Sequence, residues 1–132
     1  MTDVPKDFRL SWFKSDGTAL LHDVAAANGA TYYAELLPNG PSPEFWIGLV
    51  WDATEATLFT LESAGKSGAD LTCYAAAGTG WTSQATALGT ITAASAASCG
   101  EWQVADVSKG TRWRIKRVVT TGGVATARGK RY

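Results

Sequence analysis

The sequence has very little of the residue chemistry that metal sites need. It contains one histidine, His22, and two cysteines, Cys73 and Cys99, in 132 residues. Two thiols without a CxxC spacing and one distant imidazole do not make the four-ligand set of a structural zinc site. In a reducing cytoplasm we expect both cysteines to be free, buried side chains and not a disulfide. We therefore expect no metal and no other cofactor.

Catalytic motifs are also missing. His22 and Asp23 are neighbours in the chain, so in a strand their side chains would point to opposite faces. Serines such as Ser95 and Ser98 lack the context of a nucleophile elbow. The glycine-rich segments match neither a dinucleotide-binding fingerprint nor a phosphate-binding loop. The sequence therefore predicts a protein that is not an enzyme.

Long hydrophobic runs are absent as well. No segment approaches the roughly 18 apolar residues that a membrane-spanning helix requires. The N-terminal sequence MTDVPKDFRL carries acidic residues and has no apolar core of the kind that secretion signals contain. We expect a protein that is made in a cytoplasm and has no membrane partner.

Good helix formers such as Glu, Lys, Gln and Met are sparse, whereas Gly, Ala and Thr are abundant, and this bias favours strands. Turn signals separate short strand-like runs, for example DFRLSWF and EFWIGLVW. The pattern predicts an all-β fold over residues 1–132: a single antiparallel β-sandwich or barrel, jelly-roll or immunoglobulin-like, with eight or nine short strands. Residues 19–28 fit either a short helix or two strands joined by an Asn-Gly turn. Residues 1–44 are expected to form an N-terminal arm or hairpin that packs on a neighbouring subunit.

Six tryptophans are available as large anchors for the core of this small domain. We expect most of them to be buried. Trp81 is the exception, because it follows AAAGTG and precedes TSQ; this context favours an exposed loop tip, where it would stack on a sugar, contact a protein or pack locally. The predicted core anchors are Trp12, Trp46, Trp113 and Ile115.

The net charge of zero conceals a strong asymmetry along the chain. Residues 1–106 contain four basic and twelve acidic residues, a net charge of −8. Residues 107–132 contain eight basic residues and no acidic one, a net charge of +8. Such an asymmetry indicates an interaction surface for phosphate or for an acidic protein surface. The predicted electrostatic partner interface consists of Arg112, Arg114, Lys116, Arg128, Lys130 and Arg131.

The segment GTRWRIKRV, residues 110–118, contains the densest part of this basic region. As a strand, it places Trp113, Ile115 and Arg117 on one face, with Arg117 at a polar rim. Arg112, Arg114 and Lys116 then share the other face, about 6.6 Å apart in sequence order. Three interpretations remain open: a solvated outer face neutralised by acids of neighbouring strands, a contact with a protein partner, and phosphate binding. The last is weakened because Trp113 points away from the cations, whereas nucleic-acid modules place stacking aromatics among them.

The small-residue tracts LTCYAAAGTGWTSQ and ALGTITAASAASCG, followed by GTRWRIKRVV and a short basic end, carry a resemblance. In style, residues 45–132 resemble accessory structural proteins of tailed bacteriophages: capsid decoration, minor capsid and tail-attached β-sandwich proteins. The resemblance implies a virion protein, made in the host cytoplasm, that stabilises the capsid shell as a homo-oligomer, with a trimer favoured. Its partners would be the major capsid protein or another virion protein and further copies of itself. The resemblance transfers no catalytic or binding residue.

Two other functions stay open from the sequence. A carbohydrate-binding β-sandwich of a phage fibre or tail would use Trp81, and Trp51 or Trp102, as stacking platforms. A nucleic-acid-binding protein would use the basic C-terminal segment, although the zero net charge argues against it.

Overall fold

The structure is a computed structural model that describes residues 6–36, 45–64, 72–74, 80–104 and 112–131. Strands dominate these residues, and one four-residue helix, α1 (Ala85–Leu88), interrupts them. The strands are β1 (Lys6–Arg9), β2 (Trp12–Lys14), β3 (Ala19–Leu20), β4 (Thr31–Leu36), β5 (Phe45–Trp51), β6 (Ala56–Ala64), β7 (Thr82–Ser83), β8 (Thr90–Ala94), β9 (Ser98–Val104), β10 (Arg112–Thr121) and β11 (Ala125–Arg131).

The strands form two antiparallel sheets. The first has four strands in the order β1-β11-β5-β9. The second has seven strands: β3, β2, β4, β10 and β6 follow one another, and both β7 and β8 pair with the remaining edge of β6. The all-β sandwich prediction is confirmed, and the sheets do not close into a barrel. The described residues contain more strands than the eight or nine expected, because strands of only two residues, such as β3 and β7, count separately.

The core lies between the two sheets, because each sheet turns its apolar residues inward at every second position. Ile47 and Leu49 of β5 are almost completely buried, as are Phe59 and Leu61 of β6 in the opposite sheet. Trp51 reaches across the interface, with its ring centroid 5.7 Å from that of Phe59. Such burial of large apolar side chains is the main source of stability for a domain of this size.

The helix considered for residues 19–28 does not form. Asp23 has a φ of 66°, outside the right-handed helical region. The amide of Ala26 donates to the carbonyl of Gly123, 2.9 Å away in the β10–β11 connection. Backbone groups that a helix would pair internally are therefore bonded to a distant part of the chain, which overrides the helix propensity of alanine.

The described part of the N-terminal region, residues 6–36, contributes strands to both sheets of its own chain. β1 pairs with β11 in the four-stranded sheet, and β4 pairs with β10 in the seven-stranded sheet. Packing of this region on a neighbouring subunit stays a prediction.

Candidate binding surfaces

The basic strand β10 is neutralised by carboxylates of its own sheet. The alternation places Arg112 and Arg114 on the outer face, where β4 and β6 flank them. Arg112 forms a two-pronged contact with Glu35 of β4: Nε lies 2.8 Å from Oε2 and Nη2 lies 2.5 Å from Oε1. Arg114 donates from Nε to Oε1 of Glu62 of β6 at 2.8 Å. The two acids that pair with Arg112 and Arg114 therefore come from the same molecule, and both are register partners of Arg114.

The chain also covers this part of the outer face. The guanidinium of Arg114 lies 4.0 Å from the ring centroid of Tyr33 and 4.4 Å from that of Trp81, so it is stacked between two aromatic rings. Its Nη1 donates to the carbonyl oxygen of Cys73 at 3.0 Å. Trp81 donates from Nε1 to the carbonyl oxygen of Thr72 at 3.2 Å. Parts of the β6–β7 connection thus close over the basic strand.

Two predictions about this region are wrong as a result. Arg114 has no exposed surface, so it cannot belong to an outer partner interface, and Trp81 is only 3% exposed, so it is not a loop-tip platform. The physical reason is the same for both: the guanidinium and the indole bury each other, and Glu62 supplies the countercharge that burial of a cation requires.

Burial and pairing shift the pKa values of this cluster in different directions. Burial lowers the pKa of Arg114, although the ion pair with Glu62 acts in the opposite direction. Nη2 of Arg114 lies 2.7 Å from Oε1 of Glu62, which supplies the countercharge to the buried guanidinium. The hydrogen bonds to Glu35 raise the pKa of Arg112. Burial raises the pKa of Tyr33 and of the Cys73 thiol.

The cysteines are free, as expected, but neither is a buried core residue. Cys73 is half-buried beside the arginine cluster and Cys99 is exposed on β9. Trp102 of the same strand is buried in the core. Cys99 faces outward because it lies three positions before Trp102, and residues an odd number of positions apart point to opposite faces of a strand.

Arg117 was expected at a polar rim of the core face, yet it is completely buried. It pairs with Glu55, which is also completely buried: Nε lies 3.1 Å from Oε1 and Nη2 lies 2.5 Å from Oε2. The same carboxylate accepts hydrogen bonds from the hydroxyl of Thr57 and from the amide of Gly123, the latter at 3.2 Å. Nη2 of Arg117 also donates to the carbonyl of Gly123 at 3.0 Å. Glu55, Arg117, Thr57 and Gly123 thus form one hydrogen-bonded cluster.

Of the other predicted interface residues, Lys116 shares the face of Arg112 and Arg114, whereas Arg128 lies on the other sheet. Lys116 is half-buried on the outer face of the seven-stranded sheet, whereas Arg128 is exposed on the outer face of the four-stranded sheet. Lys130 and Arg131 belong to β11 by backbone, and their side chains lie outside the described part of the structure. The basic segment is divided between two sheets because β10 and β11 lie in different sheets.

Three of the four predicted core anchors, Trp12, Trp113 and Ile115, are buried in the core as expected. Trp46 is not: it is half-buried on the outer face of the four-stranded sheet. Trp46 and Trp51 are five residues apart in β5, so they must face opposite sides, and Trp51 is the one that lies inside.

Trp46 borders a recess of about 450 Å³ on that outer face. Its floor follows Gly48 and Leu49, and Val50, with 60% of its surface exposed, stands at the opposite end. The two sides come from neighbouring strands, with Glu101 of β9 and Arg128 of β11 both in register with Gly48. The remaining lining residues are Cys99, Gly100 and Thr126. We call this feature the Trp46 recess.

The indole of Trp46 is held in place by a glycine and a carboxylate. A β-carbon at position 48 would lie 2.2 Å from Cη2 of Trp46, so the ring occupies the space that any other side chain would fill. Nε1 of Trp46 donates to Oε2 of Glu101. Among the other tryptophans, Trp12, Trp51 and Trp102 donate to backbone carbonyls, as buried structural tryptophans commonly do.

A second open surface lies on the seven-stranded sheet, beyond the part that Trp81 covers. Leu58 of β6 and Val118 of β10 are register partners there and are 42% and 38% exposed. Thr92 of β8 opposes Leu58, and Thr31 of β4 opposes Val118. We call this surface of two aliphatic and two threonine residues the open half-face.

Comparison of the chain with known proteins finds no match, neither to a family model nor to a curated protein. Within the described residues, no group of three or more His, Cys, Asp or Glu side chains is placed to hold a metal ion. The described helix is far too short to cross a membrane.

Proposed function

We propose that the chain is a non-enzymatic virion structural protein that binds a capsid shell as a homo-oligomer and stabilises it. The observation that carries this proposal is the open half-face: a sheet surface on which Leu58 and Val118 stay exposed while the adjoining half is covered by the chain itself. Exposed aliphatic residues that are neighbours on a rigid sheet support a contact with another folded protein.

The chemistry of the open half-face favours a protein contact over a nucleic-acid contact. The side chains that surround Leu58 and Val118 are mostly threonines, and Lys116 at the border is half-buried. Centres of protein interfaces are depleted of charged residues, whereas nucleic-acid interfaces are rich in exposed cations. Two arginines of the basic segment on which the nucleic-acid hypothesis depends, Arg112 and Arg114, are instead bonded to Glu35 and Glu62.

This geometry changes the expected nature of the contact. The sequence suggested an electrostatic interface built on Arg112 and Arg114, but both cations form ion pairs within the fold. Charge reversal at Arg114 would therefore unfold the domain before it could report on binding. The contact we propose is apolar, and its salt dependence should be weak.

The test is co-sedimentation of the purified domain with capsid shells of its parent virus, combined with light scattering of the free domain. Val118→Asp places a charge in the centre of the open half-face and is expected to reduce shell binding at least about tenfold, a cost of about 1.4 kcal/mol. The matched control is Leu21→Asp: Leu21 is 73% exposed in the β3–β4 connection, outside both open surfaces.

Each part of the proposal has its own contrary result. Shell binding by Val118→Asp equal to that of the wild type would exclude the open half-face as the contact. A strict monomer in light scattering at every concentration tested would contradict the homo-oligomer. Failure of the wild-type domain to sediment with shells would contradict the virion role itself.

A further inference from the structure

We infer that the Trp46 recess is a binding site for a neutral oligosaccharide. The recess lies on the four-stranded sheet, whereas the open half-face lies on the seven-stranded sheet. The inference therefore goes beyond the proposed shell contact and does not depend on it.

Trp46 lies half-buried on the outer face of the sheet, where a ligand can reach its ring. An indole at the surface offers a flat apolar face, and such a face packs well against the C–H groups of a pyranose ring. Trp51 of the same strand is directed into the core. Trp46 is instead directed outward and fixed by Glu101, so little side-chain entropy is lost when a ligand stacks on it.

Gly48 lies beneath the indole ring of Trp46. Glycine inside a strand weakens the strand and often marks a place where another group approaches closely. At position 48 that group is the indole itself, which the missing β-carbon allows to lie over the sheet. The sequence accepts a poor strand residue at the centre of β5, and the recess is the result.

Two planar polar groups lie on the two sides of Gly48, one on each neighbouring strand. The carboxylate of Glu101 accepts hydrogen bonds and the guanidinium of Arg128 donates them. Adjacent hydroxyls of a sugar both donate and accept, so they can bond to one group of each kind. Thr126 adds a hydroxyl on the β11 side.

The charges of the recess favour a neutral ligand. Glu101 and Arg128 carry opposite charges at the same register level. Arg9, the β1 neighbour of Arg128, donates to Asp23 at 3.0 Å and so has its own countercharge. Among the described side chains that line the recess, Arg128 is the one cation, so a sialylated or phosphorylated ligand would meet Glu101 without a second described cation to compensate. The volume of about 450 Å³ lies within the usual range for small-molecule sites.

The test uses ¹⁵N-labelled full-length domain and a panel of four neutral trisaccharides: cellotriose, maltotriose, xylotriose and N,N′,N″-triacetylchitotriose. The Trp46→Phe variant lacks the indole N–H of Trp46, so the signal missing from its spectrum identifies that of Trp46 in the wild type. At least one sugar is expected to shift this signal and the amides of Gly48 and Glu101 in a saturable manner. A sialylated trisaccharide and a mixture of tripeptides are titrated in parallel as the alternative occupants.

Three variants test whether the residues of the Trp46 recess are responsible for sugar binding. Trp46→Ala and Arg128→Met are each expected to weaken binding about tenfold or more, which corresponds to about 1.4 kcal/mol. Gly48→Ala keeps every chemical group of the site but forces the indole out of its place, and we expect the same loss. Leu21→Asp should bind like the wild type.

Several results would overturn the inference. One is the absence of a saturable shift of the Trp46 signal with all four neutral sugars. A second is binding of the sialylated sugar or of the tripeptides alone. A third is wild-type affinity in Gly48→Ala with an unchanged fold, since that would show that the indole position is irrelevant.

Discussion

Replacing Glu55 by glutamine is expected to destabilise the domain by about 3–5 kcal/mol, although only one atom changes identity. The carboxylate of Glu55 has no exposed surface and accepts two hydrogen bonds from Arg117, one from Thr57 and one from the amide of Gly123. The substitution leaves the buried guanidinium of Arg117 without a countercharge. A glutamine also turns one acceptor into a donor, which faces other donors.

The magnitude is large relative to the stability of a domain of this size. The free energy of unfolding of a single domain is about 5–15 kcal/mol, so the substitution would remove up to about half of it. Arg117→Met should cost a similar amount, because it leaves the Glu55 carboxylate buried with only two hydrogen-bond donors. In the double variant no unpaired buried ion remains, and its cost should be smaller than the sum of the single costs by about 2 kcal/mol or more.

The assay is urea denaturation followed by tryptophan fluorescence. A loss of 3–5 kcal/mol would lower the midpoint by roughly 2 M, since small domains lose about 1–3 kcal/mol per molar urea. Arg9→Met is the matched control: it breaks the Arg9–Asp23 pair, whose side chains are 34% and 80% exposed, and should cost less than about 1 kcal/mol. The reasoning is refuted if Glu55→Gln costs no more than this control, or if the effects of the double variant are additive.

Two further predictions concern the turn after β10 and the cysteines. In Gly122→Ala the new β-carbon would lie 1.6 Å from the carbonyl oxygen of Ala26, so the backbone must move. The free energy of unfolding should therefore fall by about 1–3 kcal/mol or more. An unchanged melting temperature in calorimetry would contradict this contact. At pH 8 the exposed Cys99 should react with iodoacetamide faster than Cys73, because burial raises the Cys73 pKa and so lowers its thiolate fraction. Mass spectrometry of the labelled peptides measures both rates, and equal or faster labelling of Cys73 would count against its described environment.

The sequence was sufficient to predict features that depend only on the alternation of side chains between the two faces of a strand. The two-residue period of β10 correctly separates Trp113 and Ile115 from Arg112 and Arg114. Composition and turn spacing were sufficient for the all-β sandwich, because both reflect local backbone preferences that tertiary contacts did not override.

Sequence reasoning failed where the answer depended on which segments meet across the fold. The face that carries Arg114 was identified, but its burial follows from Glu62 and Trp81, which lie at unrelated positions in the chain. No local signal reports that a loop will fold back over a sheet. The outward position of Trp46, by contrast, was accessible: its odd spacing from Trp51 excludes both from one face, and Gly48 marks the face that is not core.

Hydroxyl-radical footprinting of the domain, in the free state and bound to capsid shells, tests the proposed contact surface directly. We expect the oxidation of Leu58 and Val118 to decrease on binding, because the open half-face becomes buried. Val50, on the opposite sheet, should be oxidised equally in both states. Protection of Val50 with unchanged oxidation of Leu58 and Val118 would contradict the proposed contact surface.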